Sequence, residues 1–72
     1  MSTYIIGGIN KDNWILRDRR GRVELWEHLD NGNYSVEYFE GVGQDEHWLL
    51  HAIRGSEEAA RELFVKVVIL LN

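Results

Sequence analysis

Asp30-Asn31-Gly32-Asn33 constrains this chain more than any other four residues. Asn-Gly between two alternating apolar stretches is the strongest short-range hairpin signal, because both central residues of a type I′ turn need positive φ. It joins a strand expected over Arg22 to Leu29 to one over Tyr34 to Glu40. Asp18-Arg19-Arg20-Gly21 offers a second closure, with Asp at the first position of a type I turn and Gly as the bulge residue after it. A strand over Trp14 to Arg17 precedes it, so the middle of the chain reads as a three-stranded antiparallel meander.

These turns imply a register. A two-residue loop at Asn31-Gly32 sets Leu29 opposite Tyr34, Leu25 opposite Tyr38 and Trp26 opposite Glu37. A bulge at Gly21 brings Trp14 near Trp26 and Ile15 near Leu25. Side chains alternate between the two faces of a sheet. One face therefore gathers Ile15, Val23, Leu25, Leu29, Tyr34, Val36 and Tyr38. The other gathers Trp14, Leu16, Trp26 and Phe39 among Glu24, His28, Ser35 and Glu37. Both faces are apolar enough to need a cover.

The flanks are less tightly specified. Tyr4 to Ile9 suits a short strand, Asn10 to Asn13 a turn and Gly41-Val42-Gly43-Gln44 a loop. Asp45 to Arg54 has two readings. As a helix it has Asp45 as N-cap and Gly55 as its stop, with Trp48, Leu49, Ala52 and Ile53 on one face. As a strand, His47 to Ile53 joins the sheet and leads through Gly55-Ser56 into a helix; that compact connection makes the strand the preferred reading. Ser56 is a good N-cap, and Glu57 and Glu58 complement the helix dipole. The helix is expected to run to about Leu70, with Ala59, Ala60, Leu63, Phe64, Val67, Val68 and Leu71 as its apolar stripe. Val65, Ile69 and Leu70 fall outside that stripe, so the end of the helix is apolar all round. The branched residues between Val65 and Leu71 also allow a strand there. The expected fold class is α+β: a small antiparallel sheet of three to five strands packed on a C-terminal helix.

A chain of 72 residues makes one domain and buries a modest fraction of its surface. Without Cys it has no disulfide, which leaves tight packing or oligomerisation as stabilisers and fits a reducing compartment. No basic segment followed by a long apolar run opens the sequence, and Val67 to Leu71 is far shorter than the roughly 20 residues that cross a bilayer. A soluble cytoplasmic protein without membrane association is expected. The formal charge of −4 argues against non-specific nucleic-acid binding, yet Arg17, Arg19, Arg20 and Arg22 fall together at a hairpin tip. That tip reads either as a finger for phosphate or an acidic protein surface, or as a solvated turn with Asp18 partly neutralising it. His47 and His51 lack the Glu that a zincin pattern requires. Ser2, Ser35 and Ser56 are explained by terminus, strand and cap, and Gly7-Gly8 opens no phosphate loop. No cofactor or metal and no enzymatic activity are expected.

Two resemblances accompany this reading. Asn33-Tyr34-Ser35-Val36-Glu37-Tyr38-Phe39-Glu40-Gly41, followed by Ser56-Glu57-Glu58-Ala59-Ala60, resembles the arm-binding domain of phage-type tyrosine integrases, over about half the chain. That resemblance implies a three-stranded sheet backed by one helix and inserted into DNA, although Glu24, Glu37 and Glu40 stand where such sheets carry Lys and Arg. By size, acidity and lack of Cys, the chain also resembles the small phage inhibitors of host defence, anti-CRISPR proteins among them. That implies a protein partner blocked by an acidic, aromatic surface, in the host cytoplasm if the chain is phage-encoded. The expected function is therefore a non-enzymatic protein-binding module, with nucleic-acid binding through the Arg17–Arg22 hairpin as the alternative. Trp14, Trp26, Phe39, Glu24, Glu37, Arg19 and Arg20 are the candidate partner-binding residues. Val65, Val68, Ile69 and Leu70 are the candidate interface of a homodimer.

Overall fold

The computed structural model describes residues 11–40 and 47–71; for Phe39, Glu40 and residues 47–51 the description is of the backbone. The expected strand at Tyr4 to Ile9 and the loop at Gly41 to Gln44 lie outside the described residues. Four strands, β1 (Trp14–Arg20), β2 (Val23–His28), β3 (Tyr34–Glu40) and β4 (His47–Arg54), are followed by the helix α1 (Glu57–Leu71). The sheet is an antiparallel meander in the order β1-β2-β3-β4. The stretch from Asp45 to Arg54 thus holds a strand, not the alternative helix, and the C-terminal segment is a helix, not the alternative strand.

Both expected turns form, but neither has the expected geometry. A type I′ turn needs Asn31 as well as Gly32 at positive φ, whereas among the described residues only Gly21 and Gly32 have it, at 59° and 75°. The loop instead spans Leu29 to Gly32, closed by His28 N–H donating to Asn33 C=O at 2.8 Å and Gly32 N–H donating to His28 C=O at 2.9 Å. Leu29 is drawn away from β3, because its N–H donates to Asn13 C=O at 2.7 Å. The partners of β2 consequently move along β3: Leu25 faces Val36, Trp26 faces Ser35 and Val23 faces Tyr38. The move is by two residues, an even number, so the described side chains of β2 and β3 keep their expected faces, while Leu29 leaves the sheet for the loop.

At the other hairpin β1 continues to Arg20, which pairs with Val23 across Gly21-Arg22. Gly21 occupies the first central position of that two-residue loop, where a type II′ turn requires positive φ. The bulge falls instead at Arg17, between Leu16, opposite Trp26, and Asp18, opposite Leu25. A bulge puts two successive residues on one side of a strand. Here Arg17 and Asp18 both reach the helix, Arg17 to Glu57 at 3.9 Å and Asp18 to Arg61 at 3.0 Å.

The expected apolar stripe of α1 meets one face of the sheet. Ala60, Phe64 and Val67 are buried with Val23, Leu25 and Val36, and Leu63, Val68, Leu71, Tyr34 and Tyr38 pack around them. Ser56 caps the helix, its hydroxyl accepting from Ala59 N–H at 3.2 Å. Val68 therefore faces the core more than solvent, while Ile69 and Leu70 stand 70% and 79% exposed. No helix among the described residues is long and apolar enough to cross a membrane.

Phe64→Ala is expected to cost about 3–5 kcal/mol, a large part of the stability of so small a domain. Leu70→Ala should cost under about 0.5 kcal/mol. Urea midpoints of the two variants check this, and equal losses would mean that α1 does not seat on Phe64.

Candidate functional site

The sheet face turned away from α1 carries an unusual amount of buried polarity. Glu24, His28, Ser35 and Glu37 are all buried there, on the two inner strands β2 and β3. Alternation dictates this: Glu24, Trp26 and His28 on β2 and Ser35 and Glu37 on β3 must point opposite to Val23, Leu25 and Val36. Cross-strand pairing then sets them in rows. Leu16, Trp26, Ser35 and Ile53 form one row across all four strands, with its two ends 42% and 49% exposed. Arg19, Glu24 and Glu37 form the next.

Directly opposed carboxylates repel, and each of this pair is held by its own cation. Arg19 Nε donates to Glu24 Oε2 at 2.7 Å, and its Nη2 bonds the same oxygen. Lys11 Nζ donates to Glu37 Oε1 at 2.7 Å. The second oxygen of Glu37, Oε2, is buried and has no hydrogen-bond partner among the described residues. Burial pushes the Glu37 carboxyl above its ordinary value of 4.5; the hydrogen bond and charge of Lys11 pull it back, and the charge of Glu24 adds to the rise.

Two indoles frame the Lys11 ammonium. Lys11 Nζ lies 4.6 Å from the Trp26 ring centroid and 5.6 Å from that of Trp14, within reach of cation–π attraction. The two rings are 6.1 Å apart and inclined at 56°, so they diverge as the walls of a notch. Each wall is held by a neighbour on the same face. Trp26 Nε1 donates to Glu24 Oε1 at 2.9 Å. Trp14 stacks on His28 with centroids 3.8 Å apart and planes 11° apart. His28 Nε2 in turn shares a hydrogen bond with Ser35 Oγ at 2.9 Å. The turn before β1, closed by Trp14 N–H donating to Lys11 C=O at 3.1 Å, folds the lysine back over the rings.

The Ser35–His28 pair has the spacing of a nucleophile and its base, but Ser35 is fully buried and His28 lies beneath Trp14. The hydroxyl is enclosed in this arrangement, and the bond satisfies two buried polar groups. Burial holds the His28 pKa below 6.5, against the charge of Asp30, which raises it.

The structure thus brings Trp14, Trp26, Glu24, Glu37 and Arg19 together, but not as an open acidic surface. Glu24 and Glu37 are buried under their cations, because carboxylates at the centre of a sheet cannot be left unpaired. Arg20 lies on the helix side, its guanidinium 5.8 Å from the Phe64 ring, since Arg20 pairs with Val23 of the core face. Phe39 pairs with Trp48 in the backbone register, and its side chain is outside the description. The sequence places His28 and Ser35 on this face without a site role, and Lys11 escapes it altogether. The spacing of Lys11 three residues before Trp14, across a turn, is the signal that could have found it.

All four arginines of the first hairpin have partners. Besides Arg19, Arg17 meets Glu27 at 3.4 Å, Arg20 meets Asp18 at 3.7 Å, and Arg22 donates to Leu71 C=O at 3.4 Å. His51 is the extra residue of a bulge in β4, which disturbs its alternation with His47, and no group of potential metal ligands occurs among the described residues. Comparison with protein-family models, with curated proteins and with solved structures finds no match for this chain.

The pKa of His28 is lowered in the fold, so its contribution to stability is present above 6.5 and is lost as the pH falls through the lower folded value. That of Glu37 is raised, so its carboxyl costs stability as the pH rises from 4.5 through the higher folded value. The stability difference between the wild type and His28→Gln should therefore shrink on going from pH 7.5 to pH 5. The difference from Glu37→Gln should change in the opposite sense. Urea denaturation across that range measures both, and parallel curves would disprove the assignment.

Proposed function

We propose that this chain is a non-enzymatic protein-binding module that docks through the sheet face opposite α1. The observation that carries this reading is the row Leu16–Trp26–Ser35–Ile53, with exposed apolar ends on either side of a braced tryptophan pair. Tryptophan on a rigid support is the commonest kind of interface anchor, and a rim of smaller contacts excludes water around it. The narrower reading, a phage-type inhibitor that occupies a surface of a host-defence complex, is supported by the small size and the charge of −4. The ion pairs of the arginine hairpin favour a protein over a nucleic acid, since phosphates would have to displace Asp18, Glu24 and Glu27 from their arginines. Leu16→Asp and Ile53→Asp should abolish capture of a partner from host lysate with little change in Tm, and Ile69→Asp should not. Capture that survives both sheet variants would refute docking through this face.

A second surface supports self-association. Val65, Ile69 and Leu70 are exposed on the outer side of α1, beside an open hollow lined by Glu58, Arg61, Glu62, Val65 and Lys66. Glu62 and Lys66 lie one turn apart on one flank, so an antiparallel second copy can pair the two charges reciprocally. A homodimer built this way should sediment as such at high micromolar concentration and become monomeric on Ile69→Glu. A wild-type chain that stays monomeric at millimolar concentration would rule it out.

A further inference from the structure

The Lys11 ammonium is held as a bound cation is held in a recognition site. The Trp26 and Trp14 ring centroids lie 4.6 and 5.6 Å from it, a buried carboxylate oxygen lies 2.7 Å from it, and each ring is held by a neighbour on the same sheet face, Trp26 by Glu24 and Trp14 by His28. Lys11 belongs to the turn before β1, not to the sheet itself. The notch, by contrast, is built entirely from the paired strands β1, β2 and β3. Glu37 Oε2 adds an acceptor that is buried and, among the described residues, unpartnered. A site made on rigid elements and filled by a side chain from a turn can exchange that side chain for another of the same chemistry.

We infer that the Trp14–Trp26–Glu37 notch is a binding site for a primary ammonium group, the side chain of a lysine on the partner polypeptide, and that Lys11 fills it in the uncomplexed chain. This rests on the reading that the partner docks on the sheet face carrying Trp14 and Trp26. Cation–π attraction alone favours quaternary ammonium groups. The 2.7 Å bond to Glu37 requires an N–H donor, so the notch selects methylammonium over tetramethylammonium. Lys11 also acts as an internal competitor: a partner's lysine must displace it, and removing Lys11 strengthens the binding of an added amine.

Chemical rescue tests the site without the partner. Lys11→Ala is heated with methylammonium chloride, Nα-acetyl-lysine methylamide, tetramethylammonium chloride or sodium chloride at equal ionic strength. Methylammonium and the lysine derivative should raise Tm saturably by a few degrees (about 4–8 °C per kcal/mol of linked binding for a domain of this size), and the other two salts should not. Adding Glu37→Gln should abolish the rise. Should Lys11→Ala be unfolded in sodium chloride, recovery of its folded circular-dichroism signal by methylammonium, and not by tetramethylammonium, reads the same site. Equal effects of methylammonium and sodium would overturn the proposal. Rescue by methylammonium but not by the lysine derivative would overturn the assignment to a polypeptide lysine. Because this experiment contains no partner, its outcome is separate from that of the capture experiment with Leu16→Asp and Ile53→Asp.

Discussion

Phe64 of α1, seated on Val23, Leu25 and Val36, is the contact on which the rest of the structure depends. It assigns one face of β2 and β3 to the core, and strict alternation then assigns the other face to Glu24, Trp26, His28, Ser35 and Glu37. Four of them, Glu24, His28, Ser35 and Glu37, do not suit burial by themselves, yet they are buried on the face that alternation assigns to them. Each is tied to a partner as a result: Glu24 to Arg19 and Trp26, His28 to Ser35 and Trp14, Glu37 to Lys11.

The outcome is a sheet with an apolar side and a polar, aromatic side, each organised by a different force. The apolar side is driven by removal of surface from water. The polar side has specificity without comparable gain, because a buried ion pair roughly offsets its own desolvation. A cluster of that kind is costly to disturb and adds little to stability, and it keeps Trp14 and Trp26 in one fixed relation. Rigid placement of two indoles beside a carboxylate suits recognition, since the entropy of arranging them is met on folding and not on binding.

Much of the candidate site was legible in the sequence. The membership of both sheet faces, the proximity of Trp14 to Trp26, the helical stripe and the Ser56 cap all follow from local pattern. The roles of Glu24, Glu37 and the arginines did not. Twelve carboxylates in a short chain suggest an acidic surface, yet two of them are buried at the centre of the sheet. Which carboxylates are paired depends on rows that cross strands, and Lys11 meets Glu37 across 26 residues of chain. No local pattern records a contact at that separation.

The hairpins show the same division. The sequence by itself determined that the chain turns at Gly21 and Gly32, because only glycine adopts positive φ there at little cost. It also determined the faces of the described residues of β2 and β3, because the side-chain period of two survives any even shift of register. Tertiary structure alone decided the register. The backbone bond from Leu29 to Asn13 lengthened one loop, and the reach of Arg17 and Asp18 toward α1 accompanies a bulge in the middle of β1. The surplus of apolar surface was written in the composition. Its division into a half-covered tryptophan notch and an exposed helix flank at Ile69 and Leu70 was decided by where one helix can lie on one face of a sheet.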